Sequence, residues 1–321
     1  MHNLKFYDLH SSAPDLKKDV LNGLSSRPKA IPPKFFYDER GSFLFEQITK
    51  MPEYYPTRTE VNLINEYSSD MASQLPKKCL LIDLGSGSSE KVRLIIDALQ
   101  PAAYMPIDIS KEYLRQSAQK MAQDYPNLDI HAVCADYSNE FRLPYCPESM
   151  QRVAFFPGSS IGNFDPAEAQ EFLRRVAGFL GKNGTLLIGV DLKKDPALLN
   201  NAYNDSQGVT ASFNMNLLRR INDELNSDFD LSYFYHHAFY NESLGRIEMH
   251  LVSDKPQKVS MEGKEFIFAE GESIHTESSY KYTVDEFDNL SSEAGFQLKR
   301  VWVDSSELFS IHCLLVRPAE A

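Results

Sequence analysis

The sequence predicts an α/β protein: an open, Rossmann-like parallel sheet that ends in an antiparallel hairpin, with a second α+β lobe inserted into it. Three observations carry that expectation. Short apolar runs alternate with amphipathic helical stretches from about residue 60 to residue 192. The alternation lapses between 193 and 281, where helical segments are followed by aromatic strands. The chain then closes with one helix and two adjacent apolar strand patterns. The expected division is 60–192 with 282–321 as the sheet domain, and 1–59 with 193–281 as the second, substrate-binding lobe.

The first strand sets the rest. Leu80 to Leu84 is a short apolar run that reads as a buried parallel strand. Gly85-Ser86-Gly87 breaks it, and Ser88-Ser89-Glu90 opens a helix whose apolar side continues through Leu94, Ile95, Ala98 and Leu99. Without side chains at Gly85 and Gly87 a ligand can lie against the backbone and meet the free N–H groups of the helix end. A dinucleotide fingerprint needs a third glycine where this chain has Glu90, and a bulky acid there disfavours a pyrophosphate. A cofactor without phosphate, such as S-adenosylmethionine, fits better, because Asp83 at the strand end can receive the ammonium of its zwitterionic end. The competing explanation is a βα turn that simply needs glycine.

The elements follow in order. A helical pattern around Leu16 to Leu24 carries the first 30 residues, which show few strand signals. Ile31-Pro32-Pro33-Lys34 breaks the chain, and a short amphipathic segment covers 43–48. Met51 to Arg58 reads as a proline-bracketed loop whose paired tyrosines make a rigid wall, for local packing or for a pocket. Helix is expected over 61–75. The second strand, 104–109, contains Asp108, and Ser110 is expected to cap the helix 111–124. Asp108 falls about 20 residues beyond the glycines, where doubly wound folds place a carboxylate on ribose hydroxyls. The third strand, 130–134, runs into Asp136 and Tyr137, placed to accept from an adenine amine and to cover its ring. The fourth strand (151–156), a helix from Pro166 to Leu180 and the fifth strand (185–190) complete the alternation. Within the insertion, helices are expected at 196–204 and 213–225, and strands at 233–240, 246–252 and 265–269. After the helix 283–294, strands 298–304 and 309–316 form the terminal hairpin. That ending is usual for the class I S-adenosylmethionine-dependent methyltransferase fold, and a simple dehydrogenase fold does not predict it.

Composition excludes other classes. Hydrophobic residues make up 42% and charged residues 24%, enough for a full core. A formal net charge of −12 argues against nucleic acid or an anionic membrane as the main partner, since both need a basic surface. No apolar run approaches a membrane span, and the first residues lack a signal-peptide core. Cys79, Cys134, Cys146 and Cys313 show no paired spacing, so buried thiols in a reducing cytoplasm are expected, with no metal site. His236-His237 reads as part of an aromatic-rich surface or core rather than a ligand pair.

A second constellation follows the fourth strand: Pro157-Gly158-Ser159-Ser160-Ile161-Gly162-Asn163. Ligands bind at the carboxyl ends of strands in such sheets, and glycine, serine and asparagine there present bare carbonyls and small donors. A loop needing glycine for its turns is the plainer reading. The Asn/Asp-Pro-Pro-Tyr signature of many amine methyltransferases is absent.

Several tracts together resemble the histidine-specific Nα-methyltransferases of ergothioneine biosynthesis. They are Pro33-Lys34-Phe35-Phe36-Tyr37-Asp38, Pro52-Glu53-Tyr54-Tyr55-Pro56-Thr57-Arg58-Thr59-Glu60, Leu84 to Lys91, Gly158 to Asn163, Ala202 to Asp205 with Gly208 to Asn214, and Arg246-Ile247-Glu248-Met249. The similarity covers nearly the whole chain. It implies transfer of three methyl groups from S-adenosylmethionine to the α-amine of L-histidine, giving hercynine and S-adenosylhomocysteine, by a monomer without metal. The resemblance also implies roles. Tyr37 and the Gly158 carbonyl would contact the amine, and Asn163 and Tyr203 would hold the α-carboxylate. Tyr54, Glu277 and Ser279 would read the imidazole, with Met249 lining the same pocket. Gly85, Lys91, Asp108, Asp136 and Tyr137 would contact the cofactor, joined by Asp83 and Gly87 from the turn itself. The family often has phenylalanine at the place of Tyr137, a change that keeps the ring.

Elementary chemistry supports the same assignment. Glu277 and Ser279 alternate along a strand-like segment and so face one side. A carboxylate and a hydroxyl can together serve both imidazole nitrogens, whereas an indole offers one donor and no basic nitrogen. The nearest rival is the same reaction on tryptophan or a prenylated indole, whose enzymes are expected to lack that acid. A nicotinamide dehydrogenase and a non-catalytic binding module are the rivals of other classes.

Overall fold

The computed structural model describes residues 3–9, 16–139 and 142–318. The chain divides into two units. One gathers the described residues of Met1–Ser11, Pro56–Lys193 and Lys281–Ala321, the other those of Ser12–Tyr55 and Lys194–Tyr280.

The first unit is built on an eight-stranded sheet in the order Leu4–Asp8, Asp129–Cys134, Ala103–Asp108, Leu80–Leu84, Arg152–Phe156, Thr185–Asp191, Phe309–Val316, Phe296–Val303. The first six strands run parallel, and the last two are the terminal antiparallel hairpin. Leu80–Leu84 and Thr185–Asp191 are buried at every position, which is why they read as near-continuous apolar runs rather than alternating ones. Leu81, Tyr104 and Phe155 share one core with Leu63, Ile64 and Met71 of the helix Tyr55–Gln74 and with Ile95 of the helix Glu90–Leu99. The strand Leu80–Leu84 pairs with Ala103–Asp108 on one side and Arg152–Phe156 on the other. The chain order reverses there, and ligand crevices form at the carboxyl ends flanking such a point. The helix Val284–Glu293 starts with a reciprocal cap, Glu286 N donating to Thr283 Oγ1 at 3.1 Å and Thr283 N donating to Glu286 Oε2 at 2.7 Å. Asp191 and Lys281, each 1% exposed, form an ion pair at 2.7 Å where the inserted segment leaves and rejoins the sheet.

The second unit carries a four-stranded sheet in the order Lys29–Ala30, Ser273–Tyr280, Arg246–Ser253, Phe234–Asn241, and a two-stranded hairpin of Gln257–Met261 with Lys264–Phe268. The helix Val209–Leu225 buries Phe213, Leu217, Leu218 and Ile221. Asp205 accepts from the Val209 and Thr210 amides at 2.8 and 2.7 Å, satisfying two donors at its start. Asn214, fully buried, ties that helix to the sheet. Its side chain donates to the His250 carbonyl and accepts from the Thr276 hydroxyl.

Four expectations need correction. Leu4–Asp8 is a strand parallel to Asp129–Cys134, so residues 3–9 belong with the sheet unit and not with the second lobe. It is an edge strand with half-exposed side chains, and its partner lies over 120 positions away, so its local pattern is weak. The segment read as a loop to Arg58 becomes helix at Tyr55, Pro56 sitting in the first turn where no N–H is needed. Ser110 makes no side-chain cap; Asp108 Oδ1 instead accepts from the Ser110 amide at 2.9 Å. The helix expected from Phe213 starts at Val209, and the strands Lys29–Ala30 and Gln257–Met261 were not foreseen.

Candidate active site

In the sheet unit, the turn after Leu80–Leu84 is held open by its neighbours. Gly85 and Gly87 have φ of +69° and +49°. A Cβ on Gly85 would stand 3.3 Å from the Tyr137 ring, so the glycine keeps a slot between turn and ring. Gly87 N donates to Asp108 Oδ2 at 3.0 Å, locking the turn after Leu80–Leu84 to the end of Ala103–Asp108. Asp83 is buried, and the Tyr104 hydroxyl donates to its Oδ2 at 2.8 Å. Its Oδ1 and the Ser86 hydroxyl have no hydrogen-bond partner among the described residues. Burial pushes the Asp83 carboxyl up to about 7, against the pull of the Tyr104 hydroxyl. An orphaned carboxylate oxygen and an orphaned hydroxyl beside a glycine slot are the donor set that an ammonium-bearing ligand satisfies.

Asp108 is also lifted by burial, with the Ser110 and Gly87 amides opposing. Each of its oxygens already takes one amide, leaving a second lone pair on each. Asp136 is more heavily engaged. Its Oδ1 takes the Ser138 amide and hydroxyl, and its Oδ2 takes the Asn139 side chain at 2.8 Å. Tyr137 packs edge-on against Phe156 and Phe172, and burial drives its hydroxyl well above the usual phenol range.

The loop after the fourth strand is anchored by a residue that sequence reasoning quoted only within a tract. Glu60, wholly buried on the helix Tyr55–Gln74, receives the Gly158 amide on both oxygens at 2.9 Å and the Lys91 ammonium at 2.5 Å. Gly158 has φ of +81°, and the Asp191 amide donates to Ser159 Oγ at 2.9 Å. Asn163 ends the short 3-10 turn Ser160–Asn163 of the same loop.

In the second unit, Glu277 and Ser279 lie on one face of Ser273–Tyr280, and Met249 is the cross-strand neighbour of Glu277. A bulge between His275 and Glu277 resets the register just before the acid. The Tyr203 hydroxyl donates to Ser279 Oγ at 2.8 Å, and the Tyr54 ring meets the Tyr203 ring edge-on at 6.2 Å. All five are buried, Glu277 at 9% exposure. His236, one of the pair read as packing, reaches the Tyr203 carbonyl at 2.9 Å and the Asn214 side chain at 2.9 Å. Tyr37 stands between Phe45 and Phe213, each ring edge-on to it at 5.8 Å. The structure thus groups Tyr54, Tyr203, Met249, Glu277 and Ser279 in one unit, and the cofactor candidates with Gly158 and Asn163 in the other. No local pattern marks Glu60, Asn214 or His236, because their partners are remote in sequence.

On the face of the sheet turned from Met249 and Glu277, Glu248, His250 and His275 bring one ligand atom each within 4.8 Å of one another. Glu248 there already takes the Arg246 guanidinium at 2.9 Å and His250 at 3.0 Å, so a cation is in place. Cys79, Cys134 and Cys313 are buried free thiols; burial pushes them up to about 12, 12 and 11. Among the described residues no helix is long and apolar enough to cross a membrane.

The profile of histidine-specific, S-adenosylmethionine-dependent methyltransferases matches residues 16–316. The chain belongs to that family. It is 40% identical over 307 residues to the histidine N-alpha-methyltransferase of Mycolicibacterium smegmatis, covering 94% of this chain and 95% of that one. It is 33% identical to ergothioneine biosynthesis protein 1 of Neurospora crassa over 89% of this chain, which matches 33% of that longer protein. A 4-dimethylallyltryptophan N-methyltransferase of Epichloe festucae is more distant, at 26% identity over 89% of this chain and 90% of that one. The family's S-adenosylmethionine dependence agrees with the parallel sheet, the glycine slot and the terminal hairpin.

Proposed function

We propose that the chain methylates the α-amine of L-histidine to hercynine, with S-adenosylmethionine as donor. The observation that carries the substrate is Glu277, a buried carboxylate on the same strand face as Ser279. An imidazole gives the acid a donor and offers the hydroxyl its other nitrogen. An indole has one donor and no basic nitrogen, so it cannot serve the acid and the hydroxyl together, at a cost on the order of one unmade hydrogen bond, about 1–3 kcal/mol. Tyr54 and Met249 supply the ring walls.

Asp83, Gly85, Gly87, Lys91, Asp108, Asp136 and Tyr137 would hold S-adenosylmethionine, which when bound supplies a methyl group on a sulfonium leaving group. Ionised Asp83 takes the ammonium, Asp108 spends its spare lone pairs on ribose hydroxyls, and Tyr137 covers the adenine. Asp136 meets the adenine amine with what the Ser138 and Asn139 donors leave it. The Tyr37 hydroxyl and the Gly158 carbonyl accept from the substrate amine and so aim its lone pair, which is most of what an in-line displacement asks of a protein. The proton leaves to water, directly or through the Tyr37 hydroxyl, which gives up its own proton as it takes the amine's. Asn163 and Tyr203 hold the α-carboxylate. Tyr203 has a single proton, now given to Ser279; holding the carboxylate requires that proton to turn onto it, and the Ser279 proton goes to the imidazole nitrogen. The enzyme acts as a cytoplasmic monomer without a metal ion.

The test is mass spectrometry of L-histidine and L-tryptophan incubated separately with the protein and S-adenosylmethionine. One, two and three added methyls on histidine and none on tryptophan are expected. Methylated tryptophan with untouched histidine overturns the substrate assignment, and a single-step light-scattering mass of two chains overturns the monomer.

A further inference from the structure

The site built at the carboxyl ends of the parallel strands contains a positive charge whose counterion has no part in the reaction as described. Lys91 opens the helix after the glycine turn, and its ammonium lies 3.5 Å from where a Cβ on Gly158 would stand. Lone, that ammonium would repel a ligand that is itself a cation at its reacting atom. It is not lone. Glu60, 0% exposed, pairs with it and spends its remaining capacity on the Gly158 amide. A fully buried carboxylate is costly unless each lone pair is matched, and here the matching partners are the two groups that border the donor site. The fold also makes room for it: a Cβ on Gly189 would fall 2.1 Å from Glu60 Oε1.

We propose that Glu60 is a positioning residue for the methyl donor: its carboxylate neutralises Lys91, so that the site accepts a positively charged sulfonium, and its grip on the Gly158 amide fixes the loop beside it. The consequence is a difference between two ligands. S-Adenosylmethionine carries the sulfonium charge, and S-adenosylhomocysteine, otherwise alike, does not. Removing the charge of Glu60 leaves Lys91 uncompensated and penalises the first ligand alone. At separations of several ångströms and the effective dielectric of a protein interior, that selective loss is about tenfold or more in affinity.

This rests on the reading of the chain as an S-adenosylmethionine-dependent enzyme and is independent of which amine it methylates. The experiment is calorimetric titration of both ligands into wild type, Glu60→Gln, Lys91→Met and the double variant. Glutamine keeps the size of the side chain and an acceptor for the Gly158 amide. The expected result is that Glu60→Gln weakens S-adenosylmethionine about tenfold more than S-adenosylhomocysteine. Lys91→Met moves the ratio the other way, which tests the proposal even if Glu60→Gln does not fold, and the double variant returns the ratio toward wild type. Equal losses for both ligands in Glu60→Gln, or a ratio unmoved in the single variants, would assign Glu60 to fold stability alone and overturn the proposal. Failure of wild type to methylate histidine would overturn the substrate assignment, while the ratio of the two affinities would still decide the role of Glu60.

Discussion

At the scale of the residue, three side chains carry predictions of different kinds. Asp83 has a carboxyl raised to about 7 from its ordinary 3.8, so the folded ligand-free protein favours the protonated form. Its contribution to stability is complete below the unfolded value and is lost as pH rises through 7. Thermal melts of the ligand-free protein should therefore weaken between about pH 5 and about pH 8 more for wild type than for Asp83→Asn. Cofactor binding works the other way. An ammonium partner stabilises the carboxylate, so S-adenosylhomocysteine affinity should rise with pH through the same window, and an affinity flat in pH would separate Asp83 from the ligand. For Glu277→Gln we expect the KM for histidine to climb roughly tenfold or more, as loss of a charged hydrogen bond does, and the preference over tryptophan to shrink. Steady-state kinetics on both amino acids decide it. Tyr37→Phe should lower turnover at saturating histidine by about tenfold, the worth of one orienting hydrogen bond; unchanged turnover would remove the hydroxyl from the mechanism.

At the scale of the element, what was readable depended on how local the cause was. The five central strands announced themselves because burial on both faces leaves no polar alternation, and the glycine turn because its backbone lies in the left-handed region that favours glycine. The capped helix Val284–Glu293 was equally plain, since Asp285 and Glu286 crowd its first turn. The strand Leu4–Asp8 was not, because the hydrogen bonds that make it a strand belong to residues 130–134. The same holds for the insertion, where Asp205 and Asn214 organise the helix Val209–Leu225 through contacts no window of sequence contains. The buried pair of Asp191 and Lys281 lends itself to a direct measurement. Lys281→Ala removes the ammonium from beside a buried carboxylate and should cost about 3–5 kcal/mol, while replacing both partners by apolar residues should restore most of it. Urea denaturation of the wild type and the two variants checks this.

At the scale of the whole molecule, the resemblance carried by the sequence tracts gave the family and the candidate residues, and the structure gave what surrounds them. Tyr203 and Ser279 were foreseen as neighbours of one substrate; their shared hydrogen bond, and the need for its proton to turn, were not. Glu60 stood in one of those tracts without a role, because a polar residue early in a long helix looks solvated until the fold closes over it. Ligand binding should report on the sheet unit as a whole. S-adenosylhomocysteine at a hundredfold its dissociation constant adds about 2.7 kcal/mol to the native state. The melting temperature should then rise by a few degrees, and a melt insensitive to the ligand would contradict the cofactor site.

Position 189 has room for a hydrogen and nothing larger, because the oxygen of Glu60 occupies the space a methyl group would need. Two sites 129 positions apart are in this way one inherited choice. Across homologous enzymes, alanine or any bulkier residue at the first should travel with loss of the acid at the second, and a natural sequence that keeps both would show that the backbone has found another way past.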